Sequence, residues 1–288
     1  MKKLISLLLC ILLLSGCAAT YDGPTESERV LTQYSVRRTS LLRDTFETTR
    51  SVYSYDMNGN RVRCMDYDEE GELDSVENMR YDDRGNQISS VYWDHSGWIP
   101  YMDHRVKKTY DDQNRVTRWT SYNMWGLKIA ETTYTYDDEA HTKTWENGEG
   151  EWVIYYYDEN GLQLRDYSEG AAGTIETVYS YDERGNRIGW VSTMNGQPHS
   201  RYEARYDEED RLIWGALYDE TDTMTHETTY TYDRNTMTIT KPGGGTRVEY
   251  YNEDGSLSSI VDFDEDGELY MEQWYTYREI RVPAGREE

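Results

Sequence analysis

Two apolar patterns divide the chain. A compact apolar run, Leu4 to Leu14, opens it. From about residue 46 onward apolar positions alternate with polar ones instead, and most of them are tyrosine. In a Tyr-x-Tyr pair both rings fall on one face of a β-strand, because successive side chains point to opposite sides. Such pairs stand at 53/55, 134/136, 155/157, 179/181, 230/232 and 275/277. The key tyrosine of each unit is Tyr55, Tyr81, Tyr110, Tyr136, Tyr157, Tyr181, Tyr206, Tyr232, Tyr251 or Tyr277. The following residues, at 56, 82, 111, 137, 158, 182, 207, 233, 252 and 278, are spaced by 26, 29, 26, 21, 24, 25, 26, 19 and 26. A period in the twenties marks a repeat architecture.

Each unit predicts two strands and two turns. Asp, Asn and Gly follow the key tyrosine, and these residues favour turns through side-chain bonds to the backbone and tolerance of positive φ. Asn58-Gly59 and Asn160-Gly161 are strong hairpin signals. An aliphatic residue such as Val62, Ile88, Leu164 or Ile188 then reopens a strand, and a second set of turns, such as Glu70-Gly71, Trp125-Gly126 and Asp266-Gly267, lies between. The expected fold is all-β, with about twenty antiparallel strands in β-hairpin repeats over residues 46–282. So wide a sheet cannot stay flat, so a long twisted or spirally curled meander is expected. No helical periodicity runs through this region. Ser27 to Arg43 reads equally as a short helix or an extended lead-in, and residues 283–288 read as a flexible tail.

The opening run has another meaning. Lys2 and Lys3 precede it, and Ser15-Gly16-Cys17 follows. That is the layout of a secretory signal. At about 1.5 Å per residue the run is too short to cross a hydrocarbon layer of about 30 Å. Leu14-Ser-Gly-Cys17 resembles the lipobox of bacterial lipoproteins, in which the cysteine is diacylated and becomes the first residue. That resemblance implies a signal peptide over residues 1–16, lipid attachment at Cys17, a tether and lead-in over 17–45, and an extracytoplasmic, membrane-anchored protein.

Composition narrows the function. Against 30 Lys+Arg stand 55 Asp+Glu, a formal charge of -25. An acidic surface does not replace phosphate counterions, so nucleic acid is excluded as a partner, and contact with anionic lipid is expected through the N-terminal acyl group alone. Cys10 leaves with the signal and Cys17 is acylated, which leaves Cys64 alone and no internal disulfide. Cys64 sits in a strand-like stretch, where it reads as a small buried thiol or, in the lesser alternative, a reactive one. The 28 Tyr and 9 Trp against 2 Phe predict a core of rings whose polar tips need hydrogen-bond partners.

The phrase Tyr-x-Tyr-Asp-x-x-Gly-Asn-Arg, whole at Tyr53–Arg61 and Tyr179–Arg187, resembles the YD repeat of the RHS family, over roughly residues 46 to 280. The resemblance implies β-hairpin strips that wind into a sheet or shell on secreted and cell-surface proteins. Large members enclose a C-terminal toxin domain. This chain has fewer units than a large shell needs and ends without a separate toxin domain, so the toxin function does not carry over.

Candidate chemistry is sparse. His95, His104, His141, His199 and His226 have no short metal-ligand spacing. No phosphate loop or nucleophile motif occurs. No cofactor is expected, with calcium as the one alternative. Asp262-Phe-Asp264-Glu-Asp266-Gly267 alternates oxygens before a glycine as a calcium loop does, but Gln273 holds its twelfth place. Asp66 to Gly71 is similar, with Glu77 twelfth. Both segments also read as solvated turns. The tryptophans are the better lead: exposed rings stack on sugars or anchor protein partners, and buried ones cover the sheet's inner face. Trp93, Trp98 and Trp125 sit beside turns and are the expected exposed ones. The expected function is a non-catalytic, lipid-anchored repeat protein that binds a glycan, envelope polymer or protein. Calcium-stabilised adhesion and a structural spacer are the alternatives, with a carbohydrate-active hydrolase behind them.

Overall fold

The computed structural model describes residues 25–40, 45–97, 99–170 and 173–283. Strands fill most of them. The first five are β1 (Thr25–Ser40), β2 (Thr45–Tyr55), β3 (Arg61–Tyr67), β4 (Leu73–Tyr81) and β5 (Gln87–Asp94). Next come β6 (Tyr101–Tyr110), β7 (Val116–Asn123), β8 (Lys128–Asp137), β9 (Thr142–Asn147) and β10 (Trp152–Tyr157). The third group is β11 (Gln163–Gly170), β12 (Gly173–Tyr181), β13 (Arg187–Met194), β14 (Gln197–Tyr206) and β15 (Leu212–Tyr218). The last are β16 (Met224–Asp233), β17 (Thr236–Thr240), β18 (Thr246–Tyr251), β19 (Leu257–Phe263) and β20 (Leu269–Pro283). A 3-10 turn at Pro242–Gly244 is the one other element among the described residues.

Each strand pairs antiparallel with the next, as the repeat predicts. The expected open or spiral sheet is not what forms. β1 pairs on one side with β2 and on the other with β20, so the meander closes into a barrel of 20 strands. Closure removes both free edges. The closing strand comes from the segment left open between helix and lead-in, and the sheet therefore begins at Thr25 and not at 46. The expected signal peptide over residues 1–16, Cys17, residues 18–24 and residues 284–288 of the expected tail lie outside the described residues, while Pro283 ends β20.

The reason for closure lies in the repeat. At the end of most even-numbered strands the register slips by one residue, as at Ser54/Tyr55, Arg80/Tyr81, Thr109/Tyr110, Ser180/Tyr181 and Arg205/Tyr206. Such a bulge disrupts the ladder locally and increases the twist. A backbone carbonyl beside it needs a partner, and the next key tyrosine supplies one. Tyr81 Oη donates to the Arg61 carbonyl at 2.8 Å, Tyr110 to Gln87 at 2.9 Å and Tyr136 to Val116 at 3.0 Å. Tyr181 donates to Gln163 at 2.7 Å, Tyr206 to Arg187 at 3.1 Å and Tyr232 to Leu212 at 2.8 Å. The accepting residue is also the register partner of the preceding key tyrosine: Arg61 of Tyr55, Gln87 of Tyr81, Val116 of Tyr110. The seam repeats the arrangement. Leu31 pairs with Tyr277 and accepts the hydroxyl of Tyr55 at 2.5 Å. β1 is thus the strand that the tenth unit needs.

Two units break the rule, and they are the short steps of 21 and 19 residues. Between β8 and β9, and between β16 and β17, the register has no slip. There the turn carbonyls of His141 and Asn235 accept the backbone N–H of Tyr157 and Tyr251, at 3.0 and 2.8 Å. Tyr251 Oη turns to Glu249 instead, at 2.7 Å.

The Asp of each unit holds the turn. Asp56 Oδ1 accepts the N–H groups of Asn58 and Asn60, both at 2.9 Å, and Oδ2 accepts Asn60 Nδ2 at 3.0 Å. Asp82 repeats all three bonds with Arg84 N–H and Asn86, and Asp182 with Arg184 N–H and Asn186. The fourth turn residue has positive φ, +77° at Gly59, and Asn114 and Asp210 take the same conformation without being glycine. Neighbouring turns are then stitched together. Arg184 bonds to the carbonyls of Asp207 and Glu208 and to the Asp210 carboxylate, and Asn186 bonds to Asp210.

Register places the tyrosines on one continuous face. Tyr53 opposes Cys64, Tyr155 opposes Asp166, Tyr179 opposes Trp190, Trp190 opposes Tyr202, and Tyr275 opposes Tyr34. Val36, Met79, Val106, Ala204 and Ile260 are buried on this face, with Ser75, Ser90, Ser121, Thr132, Ser192, Asp262 and Gln273. A concave surface crowds side chains and a convex one spreads them, so the tyrosine face is the lumen. Rings stack there across strands, as Trp190 on Tyr202 at 6.2 Å and Tyr34 on Tyr275 at 5.1 Å.

If the phenol bonds hold the bulges, Tyr110→Phe and Tyr181→Phe should each lower unfolding free energy by about 1 kcal/mol. Tyr157→Phe, which removes no such bond, should cost well under half as much. Urea titrations of the three variants make the comparison, and equal losses would contradict the assignment.

Candidate functional site

The sheet presents three features with chemical potential: two polar clusters in the lumen and one apolar patch at a rim. The first lumen cluster is centred on Asp262 of β19, which is 1% exposed. Lys241 Nζ lies 2.9 Å from Oδ1, Arg247 Nε 3.0 Å from the same oxygen, and Arg247 Nη2 3.1 Å from Oδ2. Burial alone would raise this carboxyl. The bonds from Arg247 and Lys241 outweigh it and hold the group below the usual carboxylate range. Arg37 and Glu272 form an ion pair on the convex face of β1 and β20, so charge pairs flank the seam on both sides.

The calcium alternative fails on this geometry. Asp262 is committed to two cations. Asp264 spends Oδ1 on the N–H groups of Asp266 and Glu268, at 3.0 and 2.9 Å. Alternate oxygens in the sequence are here one inward strand residue and one turn cap, so Asp262, Asp264 and Asp266 do not converge. The segment from Asp66 divides in the same way: Asp66 faces the lumen and Asp68 caps a turn through Glu72 N–H at 2.7 Å. Among the described residues no group of His, Cys, Asp and Glu could hold a metal ion.

The second cluster surrounds Asp66, which accepts Ser51 Oγ at 2.6 Å and Ser75 Oγ at 2.7 Å. The Cys64 sulfur lies 3.6 Å from Asp66 Oδ1. Burial, then the Asp66 carboxylate, push this thiol up to about 12. A thiol that far from its thiolate is a poor nucleophile. Elsewhere in the lumen Tyr179 Oη donates to Asp166 at 2.5 Å, and burial and that bond raise its pKa. Lys143 Nζ sits 4.9 Å from the ring of Tyr134, with Tyr136 and Tyr155 at 5.9 Å.

The apolar patch lies on the rim opposite the tyrosine turns. His104 and Asn123 are register partners, which sets the β5–β6 and β7–β8 tips side by side. Asn123 Oδ1 caps the second tip by accepting the N–H groups of Trp125 and Leu127, at 3.1 and 3.0 Å. Trp125 is 76% exposed and Ile99, on the first tip, 72%. Leu127, Ile129, Met124, Tyr101 and Trp93 are also exposed. Of the three tryptophans expected at turns, Trp93 and Trp125 are exposed and Trp98 lies outside the described residues. Sequence reasoning missed the aliphatic members: Met124-Trp-Gly-Leu127 sets three large apolar side chains at the tip of a turn. Trp119, Trp145 and Trp190 face the lumen instead.

A family model described as the teneurin YD-shell matches residues 7–270. No curated protein matches the chain in sequence. Among solved structures, a porin-like protein from Bacteroides uniformis is similar over 88% of this chain and 99% of its own, at 12% identity and a TM-score of 0.42. The Tc holotoxin pore of Photorhabdus luminescens is similar over 86% of this chain at 11% identity and a TM-score of 0.31. The chain spans 19% of that toxin chain.

Two outcomes test the lumen chemistry. Asp262→Asn leaves Lys241 and Arg247 without their shared carboxylate and should cost about 2–3 kcal/mol of stability. Because the folded pKa is depressed, the contribution of Asp262 is present above its unfolded value of about 4 and is lost as pH falls below it. The difference between wild type and variant should therefore shrink on acidification, as read by thermal melts. In a variant with Cys10 and Cys17 replaced by Ser, Cys64 should react with DTNB at pH 8 far more slowly than a free thiol. Asp66→Asn should speed the reaction, and fast labelling without that change would overturn the burial argument.

Proposed function

Because the chain belongs to the teneurin YD-shell family, we propose that it is a non-catalytic β-shell, held on the extracytoplasmic side of a membrane through lipid on Cys17, that binds a protein partner at its apolar rim. The observation that carries this reading is the exposure of Trp125 beside Ile99, Leu127 and Ile129 on two adjacent turns. Large apolar side chains gathered at one place on a soluble surface mark an interaction site. The aliphatic content favours a protein over a glycan, since sugar sites combine an aromatic platform with several hydrogen-bonding side chains, and the tip from Met124 to Leu127 offers only the indole N–H of Trp125. Asp103 on β6 and Glu131 on β8 lie on the strands that carry the patch, and Glu149 and Glu151 lie on the next turn along, which suits a partner with basic residues around an apolar contact. The tether supports the same arrangement. β1 runs from the tyrosine-turn rim toward the apolar one, because Leu31 meets Tyr55 and Ser40 meets Thr45. The described chain therefore enters the barrel at the rim away from the patch, an arrangement compatible with a lipid on Cys17 and a partner at the patch.

The test is made in the cells that produce the protein. A photoreactive phenylalanine at position 125 should yield a specific adduct in the membrane fraction, and the same probe at the exposed Val191 should not. Leu127→Glu with Ile129→Glu should abolish the adduct, and Cys17→Ser should release the barrel into the soluble fraction. Identical labelling from positions 125 and 191 would reject the rim as an interface. Retention of the Cys17→Ser protein on the membrane would reject the anchor.

A further inference from the structure

The opposite rim carries a second site of different chemistry. Most tyrosine turns have five residues between the paired strand ends, as 207–211 between Tyr206 and Leu212 and 252–256 between Tyr251 and Leu257. The turn between these two has only Arg234 and Asn235, because Asp233 pairs directly with Thr236. The rim is notched there, and the notch is a cleft of about 500 Å³. Tyr232, Met237 and Tyr251 belong to the lumen face and line its inner side. Arg211, Arg234, Asn235, Asn252 and Glu253 line its walls.

The notch also interrupts the stitching of the rim. Arg84, Arg115 and Arg184 each reach the next turn along. At the notch the side chains of Arg234, Asn235 and Glu253 make no hydrogen bond among the described residues, while Arg211 is turned back to Asp207 at 2.6 Å and Glu209 at 3.0 Å. A planar guanidinium, a planar amide and a carboxylate are therefore uncommitted above an apolar, aromatic floor. Arg211 and Arg234 balance Asp233 and Glu253, so the cleft is close to neutral on a molecule of charge -25.

We propose that this cleft binds a short uncharged saccharide, one or two sugar rings in size. Vicinal hydroxyls both donate and accept, which matches an amide and a guanidinium set against a carboxylate. The C–H face of a sugar ring suits a floor of Tyr and Met, and the volume lies within the range of small-ligand sites. A multiply charged anion is disfavoured by the surrounding acidic turns. A cation would meet the uncommitted guanidinium of Arg234.

Isothermal titration of the full barrel with cellobiose, maltose, lactose and N,N′-diacetylchitobiose tests the site. At least one should bind with Kd of about 1 mM or tighter. Arg234→Ala and Asn235→Ala should each weaken that binding about tenfold. Neither side chain has a structural bond to lose, so both variants should keep the wild-type melting temperature. Trp125→Ala, on the other rim, should leave the affinity unchanged, which separates this site from the protein interface. Failure of all four sugars to bind at ten times that concentration, or binding untouched by both cleft substitutions, would overturn the proposal.

Discussion

The structure depends on a hydroxyl that crosses a bulge. A register slip at most tyrosine turns twists the sheet enough to curve it, but it also leaves a backbone carbonyl beside a disrupted ladder. A buried carbonyl without a partner costs about as much as a lost hydrogen bond. The key tyrosine removes that cost from one strand away, and its ring covers the bulge as it does so. Phenylalanine has the ring without the donor, which gives a physical reason for 28 Tyr against 2 Phe. The same bond explains closure: β20, which carries Tyr277, is the last strand among the described residues, and Leu31 takes the place of a strand opener opposite it, accepting from Tyr55.

Much of this was legible before any coordinates. Spacing of Tyr-Asp located the hairpins on one rim, and the second set of Gly and Asn signals located most of those on the other, missing the turn at Asp219–Thr223 and the β1–β2 hairpin. What could not be read was the destination of the ends. Residues 25–40, Thr-Glu-Ser-Glu-Arg-Val-Leu-Thr-Gln-Tyr-Ser-Val-Arg-Arg-Thr-Ser, lack the Tyr-Asp punctuation, because a strand that completes another unit needs no turn of its own. Pairing between residues some 240 apart leaves no local signal. The alternating polarity of Tyr34 and Val36, both facing the lumen, was present but too short to decide between strand and helix.

The candidate sites were legible in part. Trp125 announced itself as a large ring in a turn. The failed calcium loop shows the converse limit: Asp262, Asp264 and Asp266 alternate along the chain, yet strand geometry sends the first inward to two cations while the turn consumes the next. Spacing alone cannot tell a ligand from a cap, because an Asp oxygen that accepts two backbone N–H groups is the ordinary way these turns close. Hydrogen bonds of this kind hold Asp158 below its usual range, chiefly from Leu162 N–H and to a lesser degree from that of Asn160. The acidic turns are therefore structural first, and their abundance is a poor guide to binding.

In a repeat protein the regular units are occupied with one another, so chemistry collects where the repeat is broken. The stitched turns around Asp82, Asp111 and Asp182 have spent their amides and guanidiniums on the next turn along. At the step of 19 residues the loss of a bulge does two things at once. It gives the Asn235 carbonyl to a backbone N–H, which releases the Tyr251 phenol, and it shortens the turn, which leaves Arg234 and Asn235 with no neighbour to stitch. On the other rim the turn at 123–127 keeps its cap, with Asn123 in place of Asp, but exchanges the usual acidic tip for Met124 and Trp125. Both departures lie on turns, where the barrel tolerates change without disturbing the phenol ladder. An irregular interval in the tyrosine spacing is thus a better pointer to function in this fold than any single side chain.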